Sequence, residues 1–263
     1  MTPRGLVAGL EGIGFWADGL PSWRAACAFV ASGELPVDAP ARPSPELLPA
    51  NERRRAPGSV AVALEAALAA CRAAGADPAV LPSVFASTHG DLGITDYICA
   101  ALASDASSMS PTRFHNSVHN AAAGYWTIGT GSHAPATAIS SGEATFAQGL
   151  VEAMSQLAAG APRVLLVACD APSAGPLAMV SPSMGLLGAA LVLAREPDPA
   201  QPRLRGTFVD GAAPAPSGAL AKRLGANAMA PMLPLFQALA AGADLLLLNA
   251  GPDRALRVEI AHG

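Results

Sequence analysis

The amino-acid sequence predicts a layered α/β fold, in which helices cover both faces of a β-sheet. Two observations lead to this prediction. Short apolar runs typical of buried strands alternate along the chain with amphipathic helical segments. The run RVLLVAC at 163–169 is apolar throughout its middle, as expected for a strand that is covered on both sides. A chain of 263 residues is long enough to bury such a core.

The strands are predicted where short apolar runs are bounded by turn residues. The predicted strands are 5–14, 83–88, 135–140, 163–169, 186–194, 203–209, 244–251 and 255–260. The first of these is expected to end in a turn, because Gly9, Gly12 and Gly14 follow one another closely.

Apolar residues at helical spacing predict the helices. The helix that begins near Pro57 places Val60, Leu64 and Cys71 on one face and stops at Gly75. The other predicted helices are 21–32, 94–104, 117–129, a helix that follows the strand 135–140 and ends at Gly160, and 228–241. Two segments are predicted to be irregular: 35–50, which holds five prolines, and 210–218, which is typical of a linker.

Composition and charge argue against several classes of function. A net charge of −4 gives no basic surface for nucleic acid. No uncharged apolar stretch reaches the roughly 18 residues of a membrane span, and the N-terminal residues lack the pattern of a signal peptide. Cys27, Cys71, Cys99 and Cys169 lie far apart without a CxxC pair, which favours reduced thiols. A cytoplasmic protein is therefore expected.

Two short motifs could bind a ligand, and each has a simpler explanation. GLEGIG at 9–14 has the glycines of a dinucleotide fingerprint in a different order, so tight turn geometry is favoured. His115 and His119 are four apart, the spacing of two metal ligands on a helix, but no third ligand is apparent. Neither a cofactor nor a metal site is therefore predicted.

A short basic cluster, NERRRAP at 51–57, precedes the helix that begins near Pro57. Such a cluster is usually a solvated surface, and Arg53, Arg54 and Arg55 could also dock an acidic partner. Both interpretations stay open.

The segment TAISSGEATFAQGL at 137–150 predicts a strand, a tight turn at Gly142 and a helix. Many enzymes place a nucleophile at such a corner. Here Glu143 occupies it, where its carboxylate could act chemically or simply favour the helix dipole. A hydrolase with Ser140 or Ser141 as nucleophile is a further possibility, although no GxSxG motif and no positioned histidine support it.

The stretch from 110 to 170 resembles the β-ketoacyl synthases of the thiolase superfamily. Its Asn120, Gly124, Gly131, Pro135 and Gly160 fall at matching places without a gap. The flanking GLEGIG…SWRAACAFVASG and GLLGAALVLAREPDPAQPRLRGTFVDG are similar to the first strand and helix and to the hairpin that ends the synthase's first half. The resemblance implies a thiolase-like layered α/β/α fold. Its first half, 1–210, is complete, and its second half, 211–263, is a truncated remnant that completes the sheet.

The chain departs from the synthase pattern at the residues that carry the chemistry. Glu143 occupies the position of the nucleophilic cysteine, and Asn227 lies near the place of one catalytic histidine. The second histidine has no counterpart, since no HGT motif is present and no histidine lies between His133 and His262. Condensation needs a thiolate to carry the acyl chain and donors to stabilise the enolate. The resemblance therefore implies no condensation by this chain alone.

Four segments, at 47–57, 84–91, 110–126 and 165–170, resemble the short chain-length-factor-like proteins of aryl polyene and xanthomonadin-type pigment clusters. The resemblance implies a partner β-ketoacyl synthase in a heterodimer, with substrates held on an acyl carrier protein through 4'-phosphopantetheine. Interface and tunnel roles are implied for Phe114, His115, Asn116, His119, Asn120, Tyr125 and Ile139.

Two further expectations follow from the resemblance. Glu143 could supply starters by decarboxylating malonyl groups, if burial raised its pKa enough to keep it protonated. The shortened second half is also expected to leave part of the sheet as an exposed apolar surface, which a partner would cover.

Overall fold

The computed structural model describes residues 5–196 and 198–263. Its strands are β1 Leu6–Ala17, β2 Ser83–Ala86, β3 Ala136–Ile139, β4 Arg163–Asp170, β5 Leu187–Ala194, β6 Arg203–Asp210, β7 Leu245–Gly251 and β8 Arg254–Ala261. Its helices are α1 Trp23–Ser32, α2 Ala50–Arg55, α3 Gly58–Ala73, α4 Leu92–Ser104, α5 Pro111–His115, α6 Ala121–Thr130, α7 Thr145–Ala158, α8 Ala219–Leu224 and α9 Leu233–Ala241. Each predicted strand overlaps one of these eight, as expected when short apolar runs are buried in a sheet.

The strands form one mixed sheet in the order β3-β2-β4-β5-β1-β6-β8-β7. Strand β2 is parallel to both β3 and β4, and the remaining neighbours are antiparallel. Strands β3 and β7 lie at the two edges. The parallel part of the sheet therefore needs crossover helices on its faces, which the chain supplies as α4 to α7.

Helices cover both faces of the central strands, as the apolar run of β4 predicts. Val164, Leu166 and Ala168 pack in one core with α7, α9 and α1. The alternate residues Leu165 and Val167 pack in a second core with α3 and α6. The predicted layered α/β/α fold is thereby confirmed, because a strand with both faces buried requires a helical layer on each side.

The strand order repeats itself around the junction between β1 and β6. In one direction the sheet runs β1-β5-β4, and in the other β6-β8-β7, with α7 preceding β4 and α9 preceding β7. On the first side two more strands, β2 and β3, extend the sheet, whereas β7 is the edge on the second side. In the described residues the first half is thus complete and the second half is truncated, as the sequence predicts.

Strand β1 joins the two halves, since its residues 6–9 pair with β6 and its residues 9–17 pair with β5. The pairing with β5 is irregular between Leu10 and Gly12. A Cβ at Gly12 or Gly14 would overlap the carbonyl oxygen of Ala70 or Ala66 in α3. The turn predicted at 9–14 is therefore wrong, because these glycines lie in a continuous strand that α3 approaches closely.

The outer face of the β6–β8 pair is exposed and charged. Arg203 and Arg205 of β6 are exposed, and Leu204 between them is fully buried on the other face. In register with them, Glu259 of β8 lies opposite Arg205 and makes a 2.8 Å ion pair with Arg257. The expected apolar exposure of the second half is present in part, since Phe208 of β6 is 37% exposed and Leu245 of β7, opposite Glu259, is 52% exposed.

Several helix boundaries differ from the prediction. Helix α6 begins at Ala121 rather than at 117, because residues 117–120 form a turn after α5. The helix predicted at 228–241 begins at Leu233, after a 3₁₀ turn at Ala230–Met232. Helices α2, α5 and α8 were not predicted, since five or six residues are too few to show helical periodicity.

Candidate functional site

A cavity of about 850 Å³ lies between the turn before α7 and the second half of the chain. Its walls consist mainly of small and apolar residues, many of them alanine and proline. The polar side chains on its lining belong to Thr88, Glu143, Ser181, Asn227 and Asn249. Of all the lining residues, Glu143 alone carries a charge.

Glu143 is presented at a corner between β3 and α7, as predicted. Gly142 makes the corner with φ +54, a left-handed conformation that glycine adopts without strain. The exposed carboxylate of Glu143 accepts a 3.2 Å hydrogen bond at Oε2 from Nδ2 of Asn249. The Asn249 amide is itself oriented, because its Oδ1 accepts a 3.0 Å bond from the N–H of Gly251.

Hydrogen bonds fix the two serines that precede the corner. Ser140 donates from Oγ to the carbonyl oxygen of Thr88 at 2.7 Å. The backbone N–H of Ser141 donates to Oγ1 of Thr145 at 2.8 Å, and that hydroxyl donates to Gly142 O at 2.6 Å. Neither serine hydroxyl is hydrogen-bonded to a histidine in the part of the chain that the structure describes. The geometry gives no support to a serine hydrolase.

Asn227 is buried and its amide is used to hold backbone together. Its Nδ2 lies 3.0 Å from Gly185 O, 3.2 Å from Met184 O and 3.3 Å from Asp170 O. Its Oδ1 accepts a 2.9 Å bond from the N–H of Met229. Since both ends of the amide have backbone partners, Asn227 ties the loop after α8 to β4 and to the start of β5.

Asp170, at the end of β4, is a fully buried carboxyl group beside the cavity wall. It accepts a 2.7 Å bond from Oγ of Ser87 and bonds of 3.1 Å from the N–H of Thr88. Burial raises the pKa of this carboxyl above its usual range, and these hydrogen bonds and nearby His89 oppose the shift. The sequence showed no signal for this group, because its partners lie more than 80 residues away.

The structure brings together some of the residues that were predicted to line an interface. Tyr125 donates from its hydroxyl to Oδ1 of buried Asn116 at 3.1 Å, and its ring packs edge-on against His115 at 6.4 Å. His119 lies apart from this cluster, with Nε2 2.8 Å from Ser87 O. Phe114 is 60% exposed.

The remaining residues of that set lie at the ends of their elements. Asn120 is exposed at the start of α6 and makes no side-chain cap, and Ile139 is half-buried at the end of β3. His115 ends α5 and His119 lies in the following turn, so the two do not share a helix face. No group of three or more metal-ligating side chains was found among the described residues.

The three arginines of the basic cluster lie on α2 and are not equivalent. Arg53 is half-buried and donates to Leu48 O from Nε at 3.3 Å and from Nη2 at 3.0 Å. Arg54 is bonded to Oδ1 of Asn51, and Arg55 is exposed. The structure therefore leaves Arg54 and Arg55 more accessible than Arg53.

Among the described helices, none is long and apolar enough to cross a membrane.

The comparisons with known proteins identify the family. The model of the β-ketoacyl synthase N-terminal domain matches residues 24–246. The chain belongs to the β-ketoacyl synthase family. No curated protein matches the sequence.

Solved synthase structures share the fold of this chain. One of them is a chain of the complex between the ketosynthase ApeO and its chain length factor ApeC from Xenorhabdus doucetiae. That chain is 23% identical to this one with a TM-score of 0.76, and the match covers 97% of this chain and 99% of that one. A chain of AntDE:AntF, a type II acyl carrier protein in complex with its ketosynthase, is 15% identical with a TM-score of 0.71, covering 98% and 100%.

A single-synthase structure matches less completely. The β-ketoacyl synthase from Burkholderia phymatum is 15% identical with a TM-score of 0.57, and the match covers 91% of this chain but 71% of that one. Together these structures confirm that the layered fold is the thiolase-like fold of the ketosynthases.

Two residues singled out in the sequence line this cavity. Glu143 lies at the corner between β3 and α7, and the side-chain amide of Asn227 is bonded to backbone through both its nitrogen and its oxygen. None of the residues that line the cavity is a cysteine or a histidine. The arrangement can hold a ligand, but it offers no thiolate to carry an acyl group.

Proposed function

We propose that this chain is a non-catalytic, chain-length-factor-like subunit that pairs with an active β-ketoacyl-ACP synthase and shapes its acyl tunnel. In this proposal the substrates are acyl chains held on the 4'-phosphopantetheine of an acyl carrier protein, and the pathway is of the aryl polyene type. Residues 1–210 form the synthase-like unit and 211–263 complete its sheet. The observation that carries the proposal is Glu143 at the corner between β3 and α7, a position that the sequence resemblance matches to the nucleophile.

A carboxylate is poorly suited to the condensation that the family carries out. It is a weak acyl carrier compared with a thiolate. Its negative charge lies where an enolate or a thioester oxyanion would develop, and it would destabilise that charge rather than stabilise it. Asn227 does not compensate, because its amide N–H groups are directed at backbone carbonyls. The chain therefore needs an active partner if it is to take part in condensation.

Strand β3 and its surroundings supply a surface on which such a partner could dock. β3 pairs with β2 on one side and is the edge of the sheet on the other, so its outer backbone groups have no strand partner among residues 5–196 and 198–263. Helix α6, which contacts β3, carries Ile128 at 80% exposure, and α5, whose His115 packs against Tyr125 of α6, carries Phe114 at 60% exposure. Exposed apolar groups beside an unpaired strand edge favour a protein interface.

The pattern of coverage supports a subunit of chain-length-factor type. The match to a chain of the ApeO–ApeC complex extends over 99% of that chain, whereas the match to the single Burkholderia phymatum synthase leaves over a quarter of the synthase unmatched. The truncated side of the sheet is consistent with this difference, since it lacks counterparts of β2 and β3.

Arg54 and Arg55 are the residues of the basic cluster that we propose for weak docking of the acidic carrier protein. Both are exposed on α2. Because exposed ion pairs contribute little individually, we expect docking to involve the partner synthase as well.

Co-expression with a candidate partner, a β-ketoacyl synthase that carries the cysteine and both histidines, tests the proposal. We expect a one-to-one heterodimer by size exclusion and mass determination. Phe114→Glu places a charge on the proposed interface and should abolish the complex, whereas Val37→Glu, at a 97% exposed loop position, should leave it intact. The proposal fails if no complex between this chain and the ketosynthase forms, or if both variants bind the ketosynthase equally.

Decarboxylation of malonyl groups by Glu143 is the alternative function considered above, and the structure does not favour it. That chemistry requires a protonated carboxyl group, and burial was the expected cause of protonation. Glu143 is instead exposed and accepts a hydrogen bond from Asn249.

A further inference from the structure

The cavity beside Glu143 has the size and lining of a small-molecule site. Its volume of about 850 Å³ falls within the range of ligand-binding pockets, which is roughly 300–1,000 Å³. Most of its wall is apolar, and Val180 and Met184 at its margin are 79% and 70% exposed. An apolar body of moderate size would therefore remove apolar surface from water on both the ligand and the protein.

The single charge in this cavity is held in a defined orientation. Oε2 of Glu143 accepts from Asn249, whose amide is fixed in turn by Gly251. Oε1 has no hydrogen-bond partner in residues 5–196 and 198–263, and no lysine, arginine or histidine of those residues lies within salt-bridge distance of the carboxylate. One oxygen thus remains available to a ligand.

These two features define the kind of ligand that fits. A carboxylate without a counter-ion attracts a cation and repels an anion, and a charged hydrogen bond to it is stronger than a neutral one. The apolar wall adds affinity for a hydrocarbon stem, and Glu143 is the one charged side chain among the described residues that line it. A ligand with one positive group on an apolar stem matches both features.

We propose that this cavity binds an organic cation, an ammonium or guanidinium group on an apolar stem, with Glu143 as its counter-ion. The cation comes either from a free small molecule or from a lysine or arginine side chain of a partner protein. The inference goes beyond the proposed function and does not rest on it, since the cavity and the carboxylate both belong to this chain.

Three ligands that differ in the head group alone test the proposal on the purified chain. Calorimetric titration compares 4-phenylbutylamine, 4-phenylbutanol and 4-phenylbutyrate, which share one apolar stem. We expect the amine to bind about fivefold more tightly than the alcohol, as for a partly exposed ion pair, and the acid to bind most weakly. Equal binding of the three, preference for the acid, or no binding of the amine would overturn the proposal.

A pair of matched variants assigns the preference to Glu143. Glu143→Gln removes the charge and keeps the size of the side chain, so the amine should lose its advantage over the alcohol. Glu34→Gln removes the same charge at an exposed position just after α1 and should leave the advantage unchanged. If both variants act alike, the preference reflects the overall charge of the chain and the proposed site is wrong.

The heterodimer distinguishes the two sources of the cation. If a side chain of the partner occupies the cavity, the amine that binds the free chain will no longer bind the complex. If the natural ligand is a free molecule, the amine will bind the free chain and the complex alike. Failure of the heterodimer to form would count against the proposed function, while the titrations on the free chain would still decide this inference.

Discussion

At the scale of single residues, most polar side chains around the cavity are hydrogen-bonded to backbone groups. Asn227 joins three carbonyl groups from two other segments, and Asp170 holds the loop after β2 through Ser87 and Thr88. Thr88 in turn accepts from Ser140 just before the corner that presents Glu143. The position of Glu143 is thus determined by a chain of hydrogen bonds that starts at a buried carboxyl group.

Asp170 should make the stability of the chain depend on pH. Burial raises the pKa of its carboxyl in the folded state, so above about pH 4 the unfolded chain loses a proton that the folded chain keeps. The free energy of unfolding contributed by this group therefore falls as the pH rises, until the folded-state pKa is passed. Asp170→Asn removes the titration, so the wild type should lose stability relative to this variant as the pH rises above about 4.

Urea unfolding of both proteins at several pH values measures that difference. The slope contributed by one group is at most about 1.4 kcal/mol per pH unit. Asp38→Asn, at an exposed loop position, serves as the control and should show no comparable trend. A gain of wild-type stability relative to Asp170→Asn as the pH rises would show that the hydrogen bonds outweigh burial at this site.

The sequence located Glu143, and the family resemblance pointed to Asn227 in the same cavity, but neither indicated the hydrogen-bond partners around them. A strand, a glycine turn and a helix follow one another locally, so the corner could be predicted from residues 137–150 alone. The bonds of Asp170 to Ser87 and of Asn227 to Asp170 O span 83 and 57 residues. Such partners are set by the strand order, which composition and periodicity do not determine.

At the scale of elements, glycine controls how closely α3 can approach β1. Gly14→Ala would place a Cβ against the carbonyl oxygen of Ala66, a backbone atom that cannot move without shifting the helix. We expect this variant to lower the free energy of unfolding by about 1–3 kcal/mol or more, as overpacked cores do. Chemical denaturation of the purified chain measures the loss.

Gly124 offers the matched control for this substitution. It lies in α6, and an added Cβ would meet no atom within 4 Å. Alanine favours a helix over glycine, so Gly124→Ala should be neutral or up to about 1 kcal/mol more stable. If both glycine variants lost similar stability, close packing of α3 on β1 would not be the reason for the effect at Gly14.

The elements that the sequence predicted well are those with a long apolar signal. Strands β4 and β5 are buried along almost their whole length, and α3 buries most of its residues. The predicted helix 117–129 was wrong at its start, because Val118 to Asn120 continue the polar turn after α5 rather than a helical face. Short helices such as α8 depend on tertiary contacts, which a single sequence does not show.

At the scale of the whole molecule, the two sides of the sheet differ in what covers them. Helix α3 covers the central strands of the first half, while the corresponding face of β6 and β8 carries Arg203, Arg205 and Arg257. The charged side chains make much of this face compatible with water, and Leu245 of β7, beside Glu259, is 52% exposed on it. Further exposed apolar side chains lie near β3, where Ile128 is 80% exposed.

Under the proposed function, a cysteine in place of Glu143 should not produce condensation by this chain alone. Glu143→Cys would place a thiol at the corner, but none of the described residues that line the cavity is a cysteine or histidine that could assist it, and Asn227 is bonded to backbone. A thiol at its ordinary pKa of about 8.5 is mostly protonated at neutral pH and is then a poor nucleophile. We expect the purified variant alone to form no condensation product from malonyl and acyl carrier substrates.

Thiol labelling makes this negative result interpretable. The introduced thiol should react with a soluble maleimide, since Glu143 is exposed, whereas buried Cys71, whose pKa burial raises to about 12, should stay unlabelled. Glu143→Ser provides the baseline without a thiol at residue 143, and it also shows how much label exposed Cys99 takes up. Product above that baseline would mean that the remaining residues supply the proton transfers and oxyanion stabilisation themselves, and that the loss of the cysteine alone separates this chain from an active synthase.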